Sequence, residues 1–202
     1  YGLDPFLDKR RPLSGTVLFR FVLSMLDLGV NGWSFGPLMT CLKSGMCHIT
    51  ADDTDLLENY CLTHGLFKGY RIFSDSSYGE KNDPQGYMAG LVKRVLFPIK
   101  NFLDAMAGTS TCSAKAALLL DFLDTYRPSG EDSTLRGMAS QVESLSREWA
   151  DAGDQDAALA LVLSFRELTA LLKSLEGPIG ETPMNLLNFR SMLSAGMGAS
   201  FS

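Results

Sequence analysis

The sequence predicts an all-α fold, a multi-helix bundle of about eight helices. Apolar residues recur three and four positions apart along most of the chain, which is the period of one helix face. No segment shows the apolar–polar alternation that is typical of a half-buried strand. Hydrophobic residues make up 46% and charged residues 20% of the 202 residues, a balance that excludes a mainly disordered chain.

Three helices are predicted before residue 65. The first carries apolar residues at i, i+3, i+4, i+7 and i+10 and is expected to end at Gly29. Ser34 is the expected N-cap of the second helix, which Gly45 ends. Thr50 is the expected N-cap of the third, whose first turn carries negative charge that suits the helix dipole. Their predicted buried positions are Leu18, Phe21, Val22, Met25 and Leu28, then Phe35, Leu38, Met39 and Leu42, then Leu56, Leu57, Tyr60 and Cys61.

Residues 65–83 break the helical period. The segment is rich in glycine, serine, asparagine and aspartate, which predicts a long irregular loop. Loops longer than about 15 residues are uncommon and often functional. The segment also holds six apolar or aromatic side chains, so we expect it to pack on the rest of the protein. These side chains are Leu66, Phe67, Tyr70, Ile72, Phe73 and Tyr78.

Two helices are predicted directly after this loop. Asp83–Pro84 is expected to open a long helix, because aspartate and proline stand in the cap and first helical positions that they prefer. Pro98 lies inside the pattern and is expected to kink that helix. The next helix is predicted from Ser113 to Tyr126 and closed by Arg127–Pro128. The buried positions of the long helix are Met88, Leu91, Val92, Val95, Ile99, Phe102 and Met106.

Three more helices complete the predicted bundle. Ser133 is the expected cap of the first, which has a coiled-coil-like apolar spacing and ends at Gly153. Asp154 starts the second, which Gly177–Pro178 terminates, and Thr182–Pro183 opens the last. Their apolar positions are Leu135, Met138, Val142, Leu145 and Trp149, then Ala158, Leu161, Phe165, Leu168, Leu172 and Leu175, then Leu186, Leu187 and Met192.

Charge is distributed unevenly between the two halves of the chain. The net charge is −5, whereas a self-sufficient nucleic-acid binder is usually basic. Residues 1–100 carry 11 Lys and Arg against 10 Asp and Glu, and residues 101–202 carry 7 against 13. The halves therefore have net charges of +1 and −6. We expect any contact with a polyanion to involve the first half.

The chain begins at Tyr1 and reaches Ser202 without a capping structure, which leads us to expect a piece of a larger protein. No basic stretch followed by an apolar stretch predicts a signal peptide. No apolar run approaches the roughly 20 residues of a membrane span, so no membrane contact is predicted. Four cysteines are too sparse for a disulfide scaffold, and the expected location is the reducing cytoplasm.

Three cysteines and two histidines fall within 24 residues and could hold zinc, as Cys/His clusters of cytosolic proteins do. The spacing of the first two cysteines is wider than in a zinc knuckle, and the third falls on an apolar helix face. Packing in the core is therefore the favoured interpretation, and no metal site is predicted. The cluster is Cys41, Cys47, His48, Cys61 and His64.

A second cluster, Asp52, Asp53 and Asp55, could hold magnesium for phosphate chemistry. Such a site needs a partner cluster, and Asp121 with Asp124 is the available one, although these aspartates flank core positions. The favoured interpretation is favourable charge at a helix start. The chain also has two histidines only, no Gly-x-Ser-x-Gly elbow, no phosphate loop and no isolated carboxylate pair. We therefore expect no catalytic residue, no bound cofactor and no enzymatic activity in this chain.

Basic residues cluster at two places. Lys9, Arg10 and Arg11 precede the first helix and could hold phosphates, although plain solvated surface is an alternative. Lys93 and Arg94 form a weaker second patch.

The blocks around these features occur in a recognisable order. Residues 4–14 resemble the stretch I-P-Y-F-I-D-x-K-R-P-L-S of the AddB (RexB) family, one of the two subunits of the bacterial AddAB helicase–nuclease. Residues 35–45 resemble its F-R-Y-L-K-T-G helix end, and residues 55–70 its D-x-L-E-N-Y-V-L-x-x-G-I-x-G segment. Leu96–Ile99 resembles its V-x-x-P-L helix, and residues 187–201 its L-x-x-G-L-x-x-L-x-F tail. The resemblance covers nearly the whole chain.

The resemblance implies a parent subunit that works with an AddA-like helicase–nuclease on double-stranded DNA ends, in break resection and recombinational repair. It also implies ATP, Mg²⁺ and a 4Fe-4S cluster in that parent, outside this segment. Residues 1–14 would be the remnant of the second RecA-like core domain. Residues 15–202 would be a helical 2B-like domain of the kind found in superfamily 1 helicases, with an irregular loop at about 65–83.

Individual residues carry over from the family only in the basic motif. Lys9, Arg11, Pro12 and Ser14 match it directly, and the family layout implies that this stretch lies close to the DNA track. The predicted DNA-binding residues are Lys9, Arg10, Arg11, Ser14, Lys93 and Arg94. The predicted function is a non-catalytic domain near duplex DNA or the partner subunit. The alternative is a protein-interaction bundle that never touches DNA, which the charge of −6 on the second half favours.

Overall fold

In the computed structural model, the described residues are 15–79, 81–126, 137–175 and 178–199. Within these ranges the chain forms eight α-helices and no β-strand, which confirms the all-α prediction. The helices are α1 (Val17–Asn31), α2 (Phe35–Leu42), α3 (Ala51–His64), α4 (Tyr87–Gly108), α5 (Cys112–Thr125), α6 (Gly137–Asp151), α7 (Gln155–Ser174) and α8 (Leu186–Ala199).

Helix α1 lies at the centre of the bundle. It contacts α2, α4, α7 and α8, and its side chains Leu18, Phe21, Met25 and Leu28 are fully buried. Helices α6 and α7 pack side by side along their lengths, and α5 contacts both of them. One continuous apolar core therefore joins the first and second halves of the chain. No helix in the described ranges combines the length and the hydropathy that crossing a bilayer requires.

Two predicted N-caps are confirmed by their hydrogen bonds. The hydroxyl of Thr50 accepts a bond of 3.1 Å from the backbone N–H of Asp53, and the carboxylate of Asp154 accepts one of 3.1 Å from Ala157. Each bond satisfies one of the N–H groups that the first helical turn leaves without a partner. The expected cap Ser133, its neighbour Leu135, and the terminators Arg127–Pro128 and Gly177 lie outside the described residues.

The predicted end of the first helix is wrong. Helix α1 continues past Gly29 and ends at Gly32, whose φ of 64° is the left-handed value that glycine adopts most readily. Gly29 serves close packing instead. A Cβ atom there would lie 2.6 Å from a methyl carbon of Leu186 and 3.1 Å from one of Leu103.

The predicted start of the long helix is also wrong, although its cap is right. Helix α4 begins at Tyr87, three residues after Pro84, because Gly86 turns the chain with a φ of 66°. The carboxylate of Asp83 still accepts a bond of 2.9 Å from the backbone N–H of Ala89. The helix then continues through Pro98.

The last helix begins later than predicted because residues 182–184 pair with the start of α5. The carbonyl of Thr182 accepts a bond of 3.1 Å from Cys112, and the N–H of Met184 donates one of 2.7 Å to Ser110. Asn185 takes the capping role, since its side-chain oxygen accepts a 2.8 Å bond from Asn188. Two residues predicted to be buried are half-exposed, Leu56 at 50% and Leu187 at 53%.

The segment from 65 to 83 contains two short 3-10 helices, Gly69–Phe73 and Asp75–Tyr78. It packs on the bundle as expected: Leu66 and Ile72 are buried, and the ring of Phe73 lies between those of Trp33 and Phe97. The expectation is wrong for Phe67 and Tyr70, which are 46% and 57% exposed. An irregular but well-packed segment thus covers one side of the first half.

Candidate nucleic-acid interface

Four of the six predicted DNA-binding residues, Lys9, Arg10, Arg11 and Ser14, lie outside the described residues. Lys93 and Arg94 are exposed on the first half of α4.

Arg94 is tied to the start of α3. Its guanidinium lies 3.6 Å from the carboxylate of Asp53, which also accepts a hydrogen bond from the hydroxyl of Tyr87. That hydrogen bond raises the pKa of Tyr87. Asp53 therefore offsets part of the positive charge of Arg94. Among the described residues Lys93 has no ion-pair partner, so it is the stronger cation of the predicted second patch.

A small polar pocket lies between the end of α3 and the irregular segment, and sequence reasoning missed it. Its volume is about 170 Å³. The composition of the segment indicated a functional loop, but no spacing rule shows which of its side chains converge. We call it the 64–82 pocket, and its lining residues are His64, Leu66, Arg71, Ser74, Ser76, Ser77 and Asn82.

Side-chain hydrogen bonds to the backbone hold the walls of the 64–82 pocket. The hydroxyl of Tyr78 donates a bond of 2.5 Å to the carbonyl of Ile72, and that of Ser77 donates one of 2.7 Å to Arg71. The hydroxyl of Tyr60 on α3 donates a bond of 2.5 Å to the carbonyl of Ser77. Burial raises the pKa of Tyr78, so this phenol remains a protonated donor at neutral pH.

The backbone of residues 32–35 anchors the same segment. The N–H of Gly69 donates a bond of 2.8 Å to the carbonyl of Gly32, and the N–H of Phe35 donates one of 3.0 Å to Phe67. Trp33 adopts a φ of 58°, a conformation that is uncommon for a bulky residue, and is 3% exposed. Its ring packs edge-on against Phe73 with centroids 4.6 Å apart. These contacts fix the pocket-forming segment to the ends of α1 and α2.

The structure separates the Cys/His cluster into small, unrelated groups. The sulfur atoms of Cys41 and Cys47 lie 3.5 Å apart in the core, and burial raises the pKa of Cys61 to about 11. Burial lowers the pKa of His48 to about 4, with its ring 5.4 Å from that of Tyr126. The ring of the other histidine lies 4.3 Å from Tyr60. In the described ranges no three His, Cys, Asp or Glu residues are grouped to hold a metal ion.

The four cysteines do not fit an iron–sulfur cluster, which needs convergent thiolate ligands. Two of them pair in the core, a third is buried on α3, and Cys112 on α5 lies 3.9 Å from the sulfur of Met192. Burial also raises the pKa of Cys112 and so favours its neutral thiol. No step of a mechanism is therefore assigned to such a cluster in this chain.

The acidic cluster occupies the first turn of α3, as the helix-dipole interpretation requires. Asp52 and Asp55 are exposed, while Asp53 makes the contacts to α4 described above. Asp121 and Asp124 are exposed on α5.

No protein-family model matches the chain. Similarity to individual curated proteins is extensive. A protein of Moorella thermoacetica is 28% identical over 98% of this chain, one of Clostridium acetobutylicum is 24% identical over 98%, and one of Caldanaerobacter subterraneus subsp. tengcongensis is 23% identical over 97%. Each of the three is named as the second of the lettered subunits of an ATP-dependent helicase/deoxyribonuclease.

The chain is AddB-like. The resemblance inferred from the sequence blocks is confirmed along almost the entire chain, so it includes α4 and the 64–82 pocket. The chain spans only 17% of the length of each of these three relatives. The AddB-like sequence is thus matched to one part of a much longer subunit.

Proposed function

We propose that the chain is a non-catalytic helical domain of an AddB-like ATP-dependent helicase/deoxyribonuclease subunit. It acts in the cytoplasm, in resection of double-strand breaks and recombinational repair. The observation that carries this proposal is the match of 97–98% of the chain to three proteins of that name. The bundle formed by residues 15–202 corresponds in this proposal to a 2B-like domain, and residues 1–14 to the adjoining core.

The proposal assigns ATP, Mg²⁺ and any iron–sulfur cluster to other parts of the longer subunit. Its partner is an AddA-like helicase–nuclease subunit, and its substrate is a double-stranded DNA end. Two observations agree with a supporting role for this chain. The cysteines are used in core packing, and the acidic cluster caps α3 and pairs with α4.

The proposed DNA contact uses phosphate-binding cations of the first half of the chain. Phosphate contacts supply most of the affinity for duplex DNA and make it salt-dependent. Lys93 is exposed and has no ion-pair partner among the described residues, and Arg94 lies beside it. The remaining contacts in the proposal are Lys9, Arg10, Arg11 and Ser14.

Fluorescence anisotropy with a labelled duplex tests this proposal. We expect weak binding whose affinity falls steeply with salt, about tenfold weaker binding for the double variant Lys9→Glu/Arg11→Glu, and a loss of a few-fold for Lys93→Glu. Lys173→Glu, which makes the same charge change on an exposed site of α7, is the matched control and should have less than a twofold effect. Salt-independent binding, or equal losses in all variants, contradicts a specific contact.

A second candidate function is docking of the partner subunit without any DNA contact. Leu159 and Val162 favour it, because they lie three residues apart on α7 and are 59% and 43% exposed on the acidic half. Crosslinking in the assembled complex with DNA separates the two functions. Crosslinks from this domain to protein alone select the docking function, whereas crosslinks from Lys93 to DNA select the first.

A further inference from the structure

The lining of the 64–82 pocket consists of hydrogen-bond donors. Arg71, His64, Asn82 and three serine hydroxyls supply side-chain N–H or O–H groups, and Leu66 is the one apolar member. No carboxylate lines the pocket within the described residues, since Asp75 of the second 3-10 helix is absent from its walls. Walls of this kind suit an oxyanion, which accepts hydrogen bonds and donates none when fully ionised.

The charge available in the pocket comes from Arg71. In the described ranges its guanidinium has no carboxylate partner, and its one hydrogen bond is a long one of 3.4 Å to the carbonyl of Gly65. Most of its five N–H donors are therefore available to a ligand. The nearby buried acid Asp83 uses its carboxylate to cap α4. A planar guanidinium with free donors recognises phosphate oxygens in pairs.

The pocket is held in shape before any ligand arrives. Ser77 is fixed from both sides, because its hydroxyl donates to Arg71 and its carbonyl accepts from Tyr60. The hydroxyls of Ser74 and Ser76 lie 2.8 Å apart and hydrogen-bond each other. Preorganised donors lose little conformational entropy on binding, which favours affinity for a small ligand.

Size limits what the pocket can hold. Its volume of about 170 Å³ is below the roughly 300 Å³ at which pockets for whole small molecules begin. A single phosphate group fits this limit, whereas a complete nucleotide with its base does not.

We propose that the 64–82 pocket binds one phosphate group of a nucleic-acid backbone, with Arg71 as its charged ligand and the serine, histidine and asparagine donors around it. The choice of a nucleic acid as the source of the phosphate rests on the proposed function. The pocket lies in the half of the chain that is not acidic, at the opposite end of residues 64–94 from the Lys93 patch. The domain would then hold the backbone at a site distinct from the basic run at residues 9–11.

The test begins with inorganic phosphate as the probe. Phosphate is titrated into the isotope-labelled chain against sodium chloride at equal ionic strength, and the imidazole resonances of His64 and His48 are followed by NMR. The chain has two histidines only, so His48 serves as the internal reference. We expect phosphate to shift His64 and leave His48 unchanged, with at least fivefold weaker binding in Arg71→Gln. Lys68→Gln, an exposed cation of the same segment outside the pocket lining, is the matched control and should bind as the unaltered chain does.

The second arm measures duplex affinity by anisotropy for the same variants. Loss of affinity in Arg71→Gln but not in Lys68→Gln supports a backbone phosphate as the ligand. If phosphate moves His64 but Arg71→Gln leaves duplex affinity unchanged, the pocket takes free phosphate and the nucleic-acid assignment is overturned. If the unaltered chain binds no duplex, the proposed function fails together with that assignment, while the phosphate arm still decides whether the pocket binds an oxyanion. No shift of His64, or equal losses in Arg71→Gln and Lys68→Gln, overturns the pocket itself.

Discussion

Helices α6 and α7 and the irregular segment around the 64–82 pocket are built by different means. The helix pair buries apolar residues at regular spacing, among them Val142, Leu161, Leu168 and Leu172. The irregular segment relies on aromatic rings and on hydroxyls such as that of Tyr78 that donate to backbone carbonyls. The difference indicates that regular packing supplies stability in the second half, whereas irregular backbone in the first half supplies converging donors.

The surfaces of the two regions differ in the same sense. Residues 101–202 have a net charge of −6 and expose Leu159 and Val162 on α7, a surface suited to protein contacts. Residues 1–100 have a net charge of +1 and carry Arg71 and Lys93 on exposed sites. Substitutions that separate packing from donor placement therefore test whether the two regions have different roles.

The largest effect is expected from Leu168→Ala on α7. Leu168 is fully buried, so its truncation leaves a cavity and should lower the free energy of unfolding by about 2–5 kcal/mol. Leu159→Ala on the same helix is the matched control, because a side chain that is 59% exposed should contribute less than about 0.5 kcal/mol. Urea denaturation measures both. Similar values for the two variants would show that α7 does not anchor the core through its buried face.

A smaller and more local effect is expected from Tyr78→Phe. The substitution removes the 2.5 Å bond to the carbonyl of Ile72 and should cost about 1–3 kcal/mol. The loss should appear as faster amide hydrogen exchange in residues 66–79, with α6 and α7 unaffected. Tyr70→Phe, which removes a hydroxyl from a residue that is 57% exposed in the same segment, should leave exchange unchanged. Uniformly faster exchange throughout the bundle would contradict a separate role for this segment.

The smallest of the three stability effects concerns pH and the junction between the halves. His48 follows the turn whose carbonyls at Gly45 and Met46 accept bonds from Gln141 of α6, and its ring lies against Tyr126. Burial lowers its pKa from 6.5 to about 4. The unfolded chain therefore binds a proton below pH 6.5 that the folded chain does not take up until about pH 4.

The stability contribution of His48 is thus complete above pH 6.5 and declines as the pH falls towards 4. The decline should amount to about 1–2 kcal/mol, since the ring keeps part of its contact with solvent. His48→Gln should flatten the stability profile between pH 6.5 and 4, while His64→Gln should leave it unchanged. An identical acid decline in the chain without His48 would contradict this assignment.

Much of the fold could be predicted because local chemistry decides it. The caps Thr50 and Asp154 and the buried face of α4 follow from residue type and from a period of 3.6. Gly29 misled the prediction because glycine at a helix end and glycine at a close crossing look alike in one sequence. Thr182–Pro183 misled it because pairing with residues 110–112, a tertiary contact, overrides a local start signal.

The candidate site was predictable only in part. Basic residues on α4 could be recognised from the sequence, but the partnership of Arg94 with Asp53 depends on how α3 meets α4. The 64–82 pocket depends on where two 3-10 helices place Arg71, Ser74 and Ser76, and no periodicity encodes that convergence. Composition indicated the segment, and the fold gave it a shape.

Both proposals require that the first half of the chain, and not the second, meets DNA. Hydrogen–deuterium exchange of the chain with and without a short duplex examines both halves in one experiment. We expect slower exchange in residues 9–14, 64–82 and 87–94 when the duplex is present, and no change in α6 and α7. Protection confined to α6 and α7 would show that the second half makes the contact and would overturn both proposals.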